Sequence, residues 1–164
     1  MDSKHVMIAV DGSDNSMRAV EYTAAILGSH DGFMVRLVHI ERLPDRDIFA
    51  DEAAWKASCE EYAENMRSFL ADSHKKLVDS GLPEDAVTEL YVPSCNRPTP
   101  AKDAIRCSQG ASISQEILRT VEDGGYGTIV LGRRGLSKAE EFLFGSVSSK
   151  IVHHVRGCTV WVVS

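Results

Sequence analysis

The chain has 164 residues, of which 43% are hydrophobic and 26% charged, proportions that are typical of a globular protein and exclude a disordered chain. Its 18 basic against 24 acidic residues give a formal net charge of −6, which makes nucleic acid and anionic membranes poor partners and favours small molecules or other proteins. The length predicts a single domain, 1–164.

Apolar runs at 6–10, 34–40, 87–92, 128–131 and 158–163 predict five strands, each apolar nearly throughout. Helical spacing of apolar residues predicts helices between them. The first ends near Gly28, the second carries Trp55 to Leu77 and ends near Gly81, and the third begins with a capping box formed by Ser112 and Gln115. Because strands and helices alternate and the strands lack polar faces, we expect a five-stranded parallel, doubly wound α/β sheet.

Neither a membrane-spanning segment nor a signal peptide is expected. The apolar run that follows the first five residues is too short for a membrane span or for the core of a signal peptide. Cys59, Cys95, Cys107 and Cys158 show neither a C-x-x-C motif nor zinc-ligand spacing. We therefore expect a cytoplasmic protein with reduced thiols.

Segment 93–110 does not fit the alternation. It holds three of the five prolines, shows no periodicity, and is long for a connection inside a compact domain. We interpret it as an insertion between the third strand and its helix, where Arg97, Lys102 and Arg106 are candidates for a lid or a partner contact. A regulatory disulfide between Cys95 and Cys107 is an alternative, but reduced thiols are favoured. Deletion of 97–106 is expected to leave the fold intact.

In doubly wound sheets the ligand lies beyond the carboxyl ends of the strands. Gly132 and Gly135 follow the fourth strand, and Gly145 and Ser146 open the last helix. Glycines allow close approach of the backbone, and the first amides of a helix attract anions, so this spacing predicts a phosphate site. Cationic residues surround it in the sequence: Arg133, Arg134, Lys138 and Lys150. Neither a G-x-G-x-x-G motif nor a P-loop is present.

The string Gly132-x2-Gly135-x9-Gly145-Ser146 resembles the signature of the universal stress protein superfamily, in its ATP-binding branch. Three stretches agree with it, and the likeness covers the chain except for about 93–110: HVMIAVDGSDNS, VRLVHI and TIVLGRRGLSKAEEFLFGSVSSKIVHHVRGCTVWVV. The resemblance implies strand order 3-2-1-4-5 and ATP between the first and fourth strands, with Mg²⁺ or Mn²⁺ carried on the phosphates. It also implies nucleotide-binding roles for Ala9, Asp11, Ile40, Leu131, Gly132, Gly135, Gly145, Ser146, Val147 and Ser148.

Within that set, the resemblance places Ala9 and Ile40 against adenine and Asp11 at the ribose or adenine end. It places the glycines, serines and Val147 at the ribose and phosphates. Asp11 has an alternative role in capping the first helix. His153 and His154 are neighbours on a helix and point in different directions, so no metal site is expected there. No residue stands out as a catalytic base.

The resemblance implies an ATP-binding stress-response or signalling module with an unknown protein partner, and the absence of an evident catalytic base predicts slow or no hydrolysis. The alternatives are a nucleotide-free dimeric scaffold of the same fold and, on a faint similarity of DGSDNS to a pyrophosphatase phosphate loop, an adenine-nucleotide-cleaving enzyme. Relatives pair through the last strand, so a homodimer through Thr159–Val163 is expected. The alternative is that the protein's own loops cover this edge.

Overall fold

The computed structural model describes residues 2–101, 104, 106–110, 112–133 and 145–164. The strands in these ranges are β1 (Asp2–Ala9), β2 (Met34–Ile40), β3 (Val87–Val92), β4 (Tyr126–Gly132) and β5 (Thr159–Val163). The helices are α1 (Asp14–Leu27), α2 (Glu52–Asp79), α3 (Ile113–Gly124) and α4 (Ser146–His154). Short 3₁₀ turns at Arg46–Ile48 and Glu84–Ala86 precede α2 and β3.

All described strands belong to one parallel sheet in the order β3-β2-β1-β4-β5. The central strand is β1, in which Val6 pairs with Val35 on one side and Thr128 on the other. The α/β class, the parallel sheet and the strand order are therefore confirmed.

Helices cover both faces of this sheet, which is why the strands are apolar nearly throughout. Val6 and Ile8 of β1 pack toward α1 and α2, whereas Met7 packs toward α3 and α4. Each face has its own buried apolar cluster, and all three of these β1 side chains are inaccessible to solvent. None of the helices in the described ranges is long and apolar enough to cross a membrane.

The ends of some elements differ from the apolar runs. β1 begins at Asp2 and β4 at Tyr126, because the backbone pairing between the two strands extends to these residues. The predicted capping box at α3 is present, with Ser112 and Gln115 bonded in both directions.

At the end of α1, Gly28 has ordinary right-handed helical angles, and a Cβ there would stand 2.2 Å from the Ser80 carbonyl oxygen. This glycine therefore serves the close packing of α1 against the end of α2.

The two ends of segment 93–110 are joined by backbone hydrogen bonds. Ser94 and Ser108 form a bridge, the Cys95 amide donates to the Ser108 carbonyl at 2.8 Å, and the Ser108 amide donates to the Pro93 carbonyl at 2.7 Å. These bonds bring the Cα atoms of Cys95 and Cys107 to 5.0 Å, and the two residues form a disulfide. The expectation of reduced thiols was wrong for this pair, because spacing along the chain does not show that the backbone folds back here. Cys59 and Cys158 are free.

The same segment is also anchored to the body of the protein through Arg97. This side chain is 3% exposed, donates to Glu60 at 3.1 Å, and lies 3.9 Å from Glu41, whose side chain is completely buried. Farther along, Arg106 donates to Thr120 of α3. Arg97 and Arg106 thus make structural contacts, which the interpretation of 93–110 as a removable insertion did not anticipate. Lys102 lies outside the described residues.

β5 lies at the edge of the sheet formed by the described strands. Trp161 packs against the cluster that α1 and α2 cover, and its ring meets that of Tyr22 edge to face at 5.9 Å. The apolar residues of this strand are only half buried. An apolar, uncharged edge strand is a surface suited to pairing with another chain.

Candidate functional site

A cavity of about 230 Å³, here named the first cavity, opens at the carboxyl ends of β1, β2 and β4. It lies where the chain leaves β1 toward one face of the sheet and β4 toward the other, the usual ligand position in this type of fold. Every described residue of the predicted nucleotide-binding set lines it: Ala9, Asp11, Ile40, Leu131, Gly132, Gly145, Ser146, Val147 and Ser148. Gly135, the remaining member, lies outside the described residues, as do Arg134 and Lys138.

Asp11 lies at the mouth of the first cavity and also organises the start of α1. Its Oδ1 accepts hydrogen bonds from the Ser13 amide at 3.1 Å and the Ser13 hydroxyl at 2.6 Å. Ser13 in turn caps α1 by accepting from the Ser16 amide. Asp11 therefore supports the helix cap, while its position in the cavity keeps it within the predicted site. The turn itself requires Gly12, whose φ of +80° favours glycine.

Below Asp11, His39 forms part of the cavity wall and is only 2% exposed. Its Nδ1 lies 2.9 Å from the Val10 carbonyl oxygen. A carbonyl accepts only, so Nδ1 carries the proton and Nε2 of the neutral ring is an acceptor. Burial lowers the pKa of His39, despite the opposing effects of the Val10 carbonyl and of Asp11 and Glu41. At neutral pH the ring is therefore uncharged.

Tyr62 of α2 stands over this histidine, with its hydroxyl 3.5 Å from Nε2. Burial, followed by the negative charges of Asp11 and Glu41, raises the pKa of Tyr62 to about 12. The phenol therefore keeps its proton at neutral pH and donates toward the imidazole acceptor. This part of the wall offers aromatic and hydrogen-bonding surface, and burial makes its imidazole a weak base.

The junction between β4 and α4 closes the other side of the first cavity. The Gly145 amide donates to the Arg133 carbonyl at 2.8 Å, and the Ser148 hydroxyl donates to the same carbonyl at 2.9 Å. The hydroxyl proton of Ser148 is thus used to hold the junction. The N-cap residue of α4, Gly145, has no side chain that could accept from the first amides of the helix, which lack partners within it. The residues that carry these amides, Ser146 to Ser148, line the cavity.

Gly132 ends β4 against the first turn of α1. A Cβ at this position would stand 2.8 Å from the backbone of Asn15 and 3.0 Å from the Ser16 nitrogen. Only a residue without a side chain permits this approach, and the approach brings β4 and α1 together at the floor of the cavity.

The chain matches a known protein family over nearly its whole length. The model of the universal stress protein family matches residues 3–164. The chain belongs to the universal stress protein family. A search of curated protein sequences finds no match.

Solved structures of the universal stress protein fold resemble this chain in architecture. Hypothetical protein MJ0577 superimposes with a TM-score of 0.71 at 20% identity, covering 99% of this chain and 96% of that one. A universal stress protein from Archaeoglobus fulgidus in complex with dAMP gives 0.60 at 18% identity, with 97% and 96% covered. A universal stress protein in complex with cAMP gives 0.61 at 16% identity, with 98% and 95% covered.

Other residues of this universal stress protein that line the first cavity were not anticipated from sequence: Val10, Ser16, Val38, His39, Arg42, Tyr62, Ile113 and Ile117. Val10 and His39 are adjacent in sequence to predicted members, so they could have been predicted from their positions at the strand ends. Tyr62 reaches the cavity from the middle of α2, where it looks like any apolar helical position. Among the described residues, no three His, Cys, Asp or Glu side chains group closely enough to hold a metal ion.

Proposed function

We propose that this universal stress protein binds ATP in the first cavity and acts as a nucleotide-dependent stress-response or signalling module. One observation carries the proposal: residues chosen from four separate stretches of sequence converge on one cavity at the switch point of the sheet. Complexes of family members with dAMP and cAMP support an adenine nucleotide as the ligand.

The cavity divides into parts that suit the parts of ATP. Ala9, Ile40 and Leu131 provide apolar surface for the base, and the Asp11 carboxylate accepts hydrogen bonds from ribose hydroxyls. Gly132, Gly145, Ser146, Val147 and Ser148 surround the phosphates, with Gly135 assigned to the same group by its spacing. The uncapped start of α4 supplies amides and a positive dipole end. Mg²⁺ or Mn²⁺ would be held mainly by the phosphate oxygens, since Mg²⁺ needs few protein ligands there.

Hydrolysis is proposed to be slow or absent. Phosphoryl transfer needs a group that positions the attacking water. His39 donates through Nδ1 to the Val10 carbonyl, its Nε2 faces the Tyr62 hydroxyl, and burial lowers its pKa, so the ring is a weak base. Tyr62 keeps its proton. Steady-state turnover of the purified protein above ~1 s⁻¹ would contradict this part of the proposal.

The test starts with freshly purified protein, which is denatured so that any released nucleotide can be identified by chromatography, followed by titration with ATP. The informative variant is Ser146→Asp, because a carboxylate in the first turn of α4 favours the helix but repels phosphate. Ala53→Asp is the matched control: it adds the same charge to the first turn of α2, outside the cavity.

Binding of ATP by the wild type and Ala53→Asp, with at least a tenfold loss in Ser146→Asp, is the expected result. Equal binding of ATP by all three proteins would show that the phosphates do not lie at the start of α4. If the wild type neither releases nucleotide nor binds added ATP, the nucleotide-free scaffold becomes the better description.

We further propose that 1–164 is a single domain, with 93–110 as its atypical addition, and that it forms a homodimer through β5. The half-buried apolar edge of Thr159–Val163 supports the dimer. Light scattering at micromolar concentration tests it, and a monomeric mass would refute it. The proposed location is the cytoplasm, where the Cys95–Cys107 bond forms only under oxidising conditions.

A further inference from the structure

A second cavity, with a volume of about 470 Å³, lies beside the first. Its walls come from the end of β2, from segment 93–110, and from the starts of α3 and α4. Arg42, Ile113, Ser146 and Val147 line both cavities, so the two meet at the first turn of α4. A group attached to a phosphate at that turn would therefore extend into the second cavity.

The walls of the second cavity differ in chemistry from those of the first. Its uncharged polar residues include Ser94, Asn96, Ser108, Ser112 and Ser114. Hydroxyl and amide groups both donate and accept hydrogen bonds, as the hydroxyls of a sugar do. The first cavity, in contrast, is lined largely by aliphatic side chains and glycine.

Charge in the second cavity favours a phosphate at its opening. Glu41 lies in the wall, but its oxygens accept from the Tyr91 hydroxyl and the Ser94 amide, each at 2.7 Å, and Arg97 lies beside it. The other charged side chains that line this cavity in the described part of the chain are the cations Arg42 and Lys150.

The wall residues that the structure describes in segment 93–110 (Ser94, Asn96, Ser108 and Gly110) are held together before any ligand arrives. The bridge between Ser94 and Ser108 and the Cys95–Cys107 disulfide close its base. A wall that is already ordered loses little entropy on binding, which favours affinity.

We propose that the second cavity binds a sugar carried on the distal phosphate of an adenosine diphosphate, so that an ADP-sugar binds more tightly than ADP. This inference rests on the proposed function, since it requires the adenosine part to occupy the first cavity. The diphosphate would lie at the start of α4, and the sugar hydroxyls would meet the serine and asparagine side chains.

The test compares the affinities of ADP, ADP-ribose and ADP-glucose by calorimetry. The variant is Asn96→Leu, which changes the second cavity and leaves the first untouched. Asn65→Leu is the matched control, since Asn65 is an exposed residue of α2 that lines neither cavity.

For the wild type, at least one ADP-sugar is expected to bind about tenfold more tightly than ADP, a gain that one or two net hydrogen bonds supply. Asn96→Leu should lose most of this gain and keep its affinity for ADP, while Asn65→Leu matches the wild type. Equal affinity of the wild type for all three ligands, or an unchanged preference in Asn96→Leu, would overturn the inference and leave the proposed function standing. Failure to bind any of the three ligands by a protein that binds ATP would also overturn the inference, and only failure to bind ATP itself would remove the proposed function as well.

Discussion

Replacement of Arg97 by methionine should destabilise the protein strongly, because it leaves a carboxylate buried without its cation. The Glu41 side chain is 0% exposed and that of Arg97 is 3% exposed, so neither charge is compensated by water. Removal of one partner of such a pair costs about 3–5 kcal/mol. The hydrogen bonds from Tyr91 and Ser94 to Glu41 remain, which places the expected loss near the lower end, at about 3 kcal/mol.

Urea denaturation followed by circular dichroism measures this loss. With a slope of about 2 kcal/mol per molar urea for a domain of this size, the midpoint should fall by about 1.5 M. The control is Arg119→Met, because Arg119 pairs with Asp123 at 3.7 Å on the surface, where both side chains are more than 60% exposed. That variant should lose less than about 0.5 kcal/mol.

The double variant Glu41→Gln/Arg97→Met separates the buried charge from lost packing. It should recover much of the stability that Arg97→Met loses, since no ionised group stays buried without a partner. If Arg97→Met is no less stable than Arg119→Met, the Glu41 environment is solvated and the reasoning from burial fails.

Three further predictions follow from the site and its surroundings. Because the pKa of His39 is lowered in the folded protein, its imidazole takes up a proton at higher pH in the unfolded chain than in the folded one. The free energy of unfolding should therefore fall as pH drops below about 6.5, by up to ~1.4 kcal/mol per pH unit. His39→Gln should flatten this dependence in denaturation curves. Gly132→Ala should weaken ATP binding at least tenfold, because its Cβ would displace the backbone of α1, whereas Gly125→Ala should only lose about 1 kcal/mol of stability through its φ of +63°. Replacement of both Cys95 and Cys107 by serine should lower the free energy of unfolding of the oxidised protein by about 3 kcal/mol, the loop-closure value for a sequence separation of 12.

Each of these predictions has a result that would count against it. A pH profile of His39→Gln parallel to that of the wild type would show that the imidazole is not the group responsible. Equal ATP affinity of the two glycine variants would remove Gly132 from the binding surface. Addition of a reductant should destabilise the wild type and leave the double serine variant unchanged, and an equal response of both would show that the disulfide does not contribute.

The sheet was predictable because its signal lies in consecutive residues. In the run 34–40 five of seven residues are apolar and they fall on both faces, as expected of a parallel strand that is covered on both sides, and the observed β2 has the same bounds. The capping box at Ser112 could likewise be predicted from the sequence, since both of its partners lie within one helical turn. Strand order came from family resemblance, because apolar runs alone do not determine which strands become neighbours.

Features that depend on distant residues were not predictable in the same way. Arg97 looks like a surface cation in sequence, and its burial follows only from the positions of Glu41, just after β2, and Glu60 of α2. The Cys95–Cys107 bond depends on pairing between Ser94 and Ser108, for which no periodicity exists in the segment. Tyr62 reaches the cavity because α2 packs against β2, and the helical spacing of its residues does not contain that contact.

The central place of β1 has a consequence for synthesis on the ribosome. β1 ends at Ala9, and its partner β4 begins roughly 120 residues later, which corresponds to roughly 6–25 s of elongation at ~5–20 residues per second. During that interval β1, β2 and β3 can assemble with α1 and α2, but the face that α3 and α4 later cover remains bare. Met7 and Val38, both fully buried in the finished protein, then face solvent. The nascent chain is accordingly a half-covered sheet with an open strand edge, the kind of surface that chaperones bind until the C-terminal strands emerge.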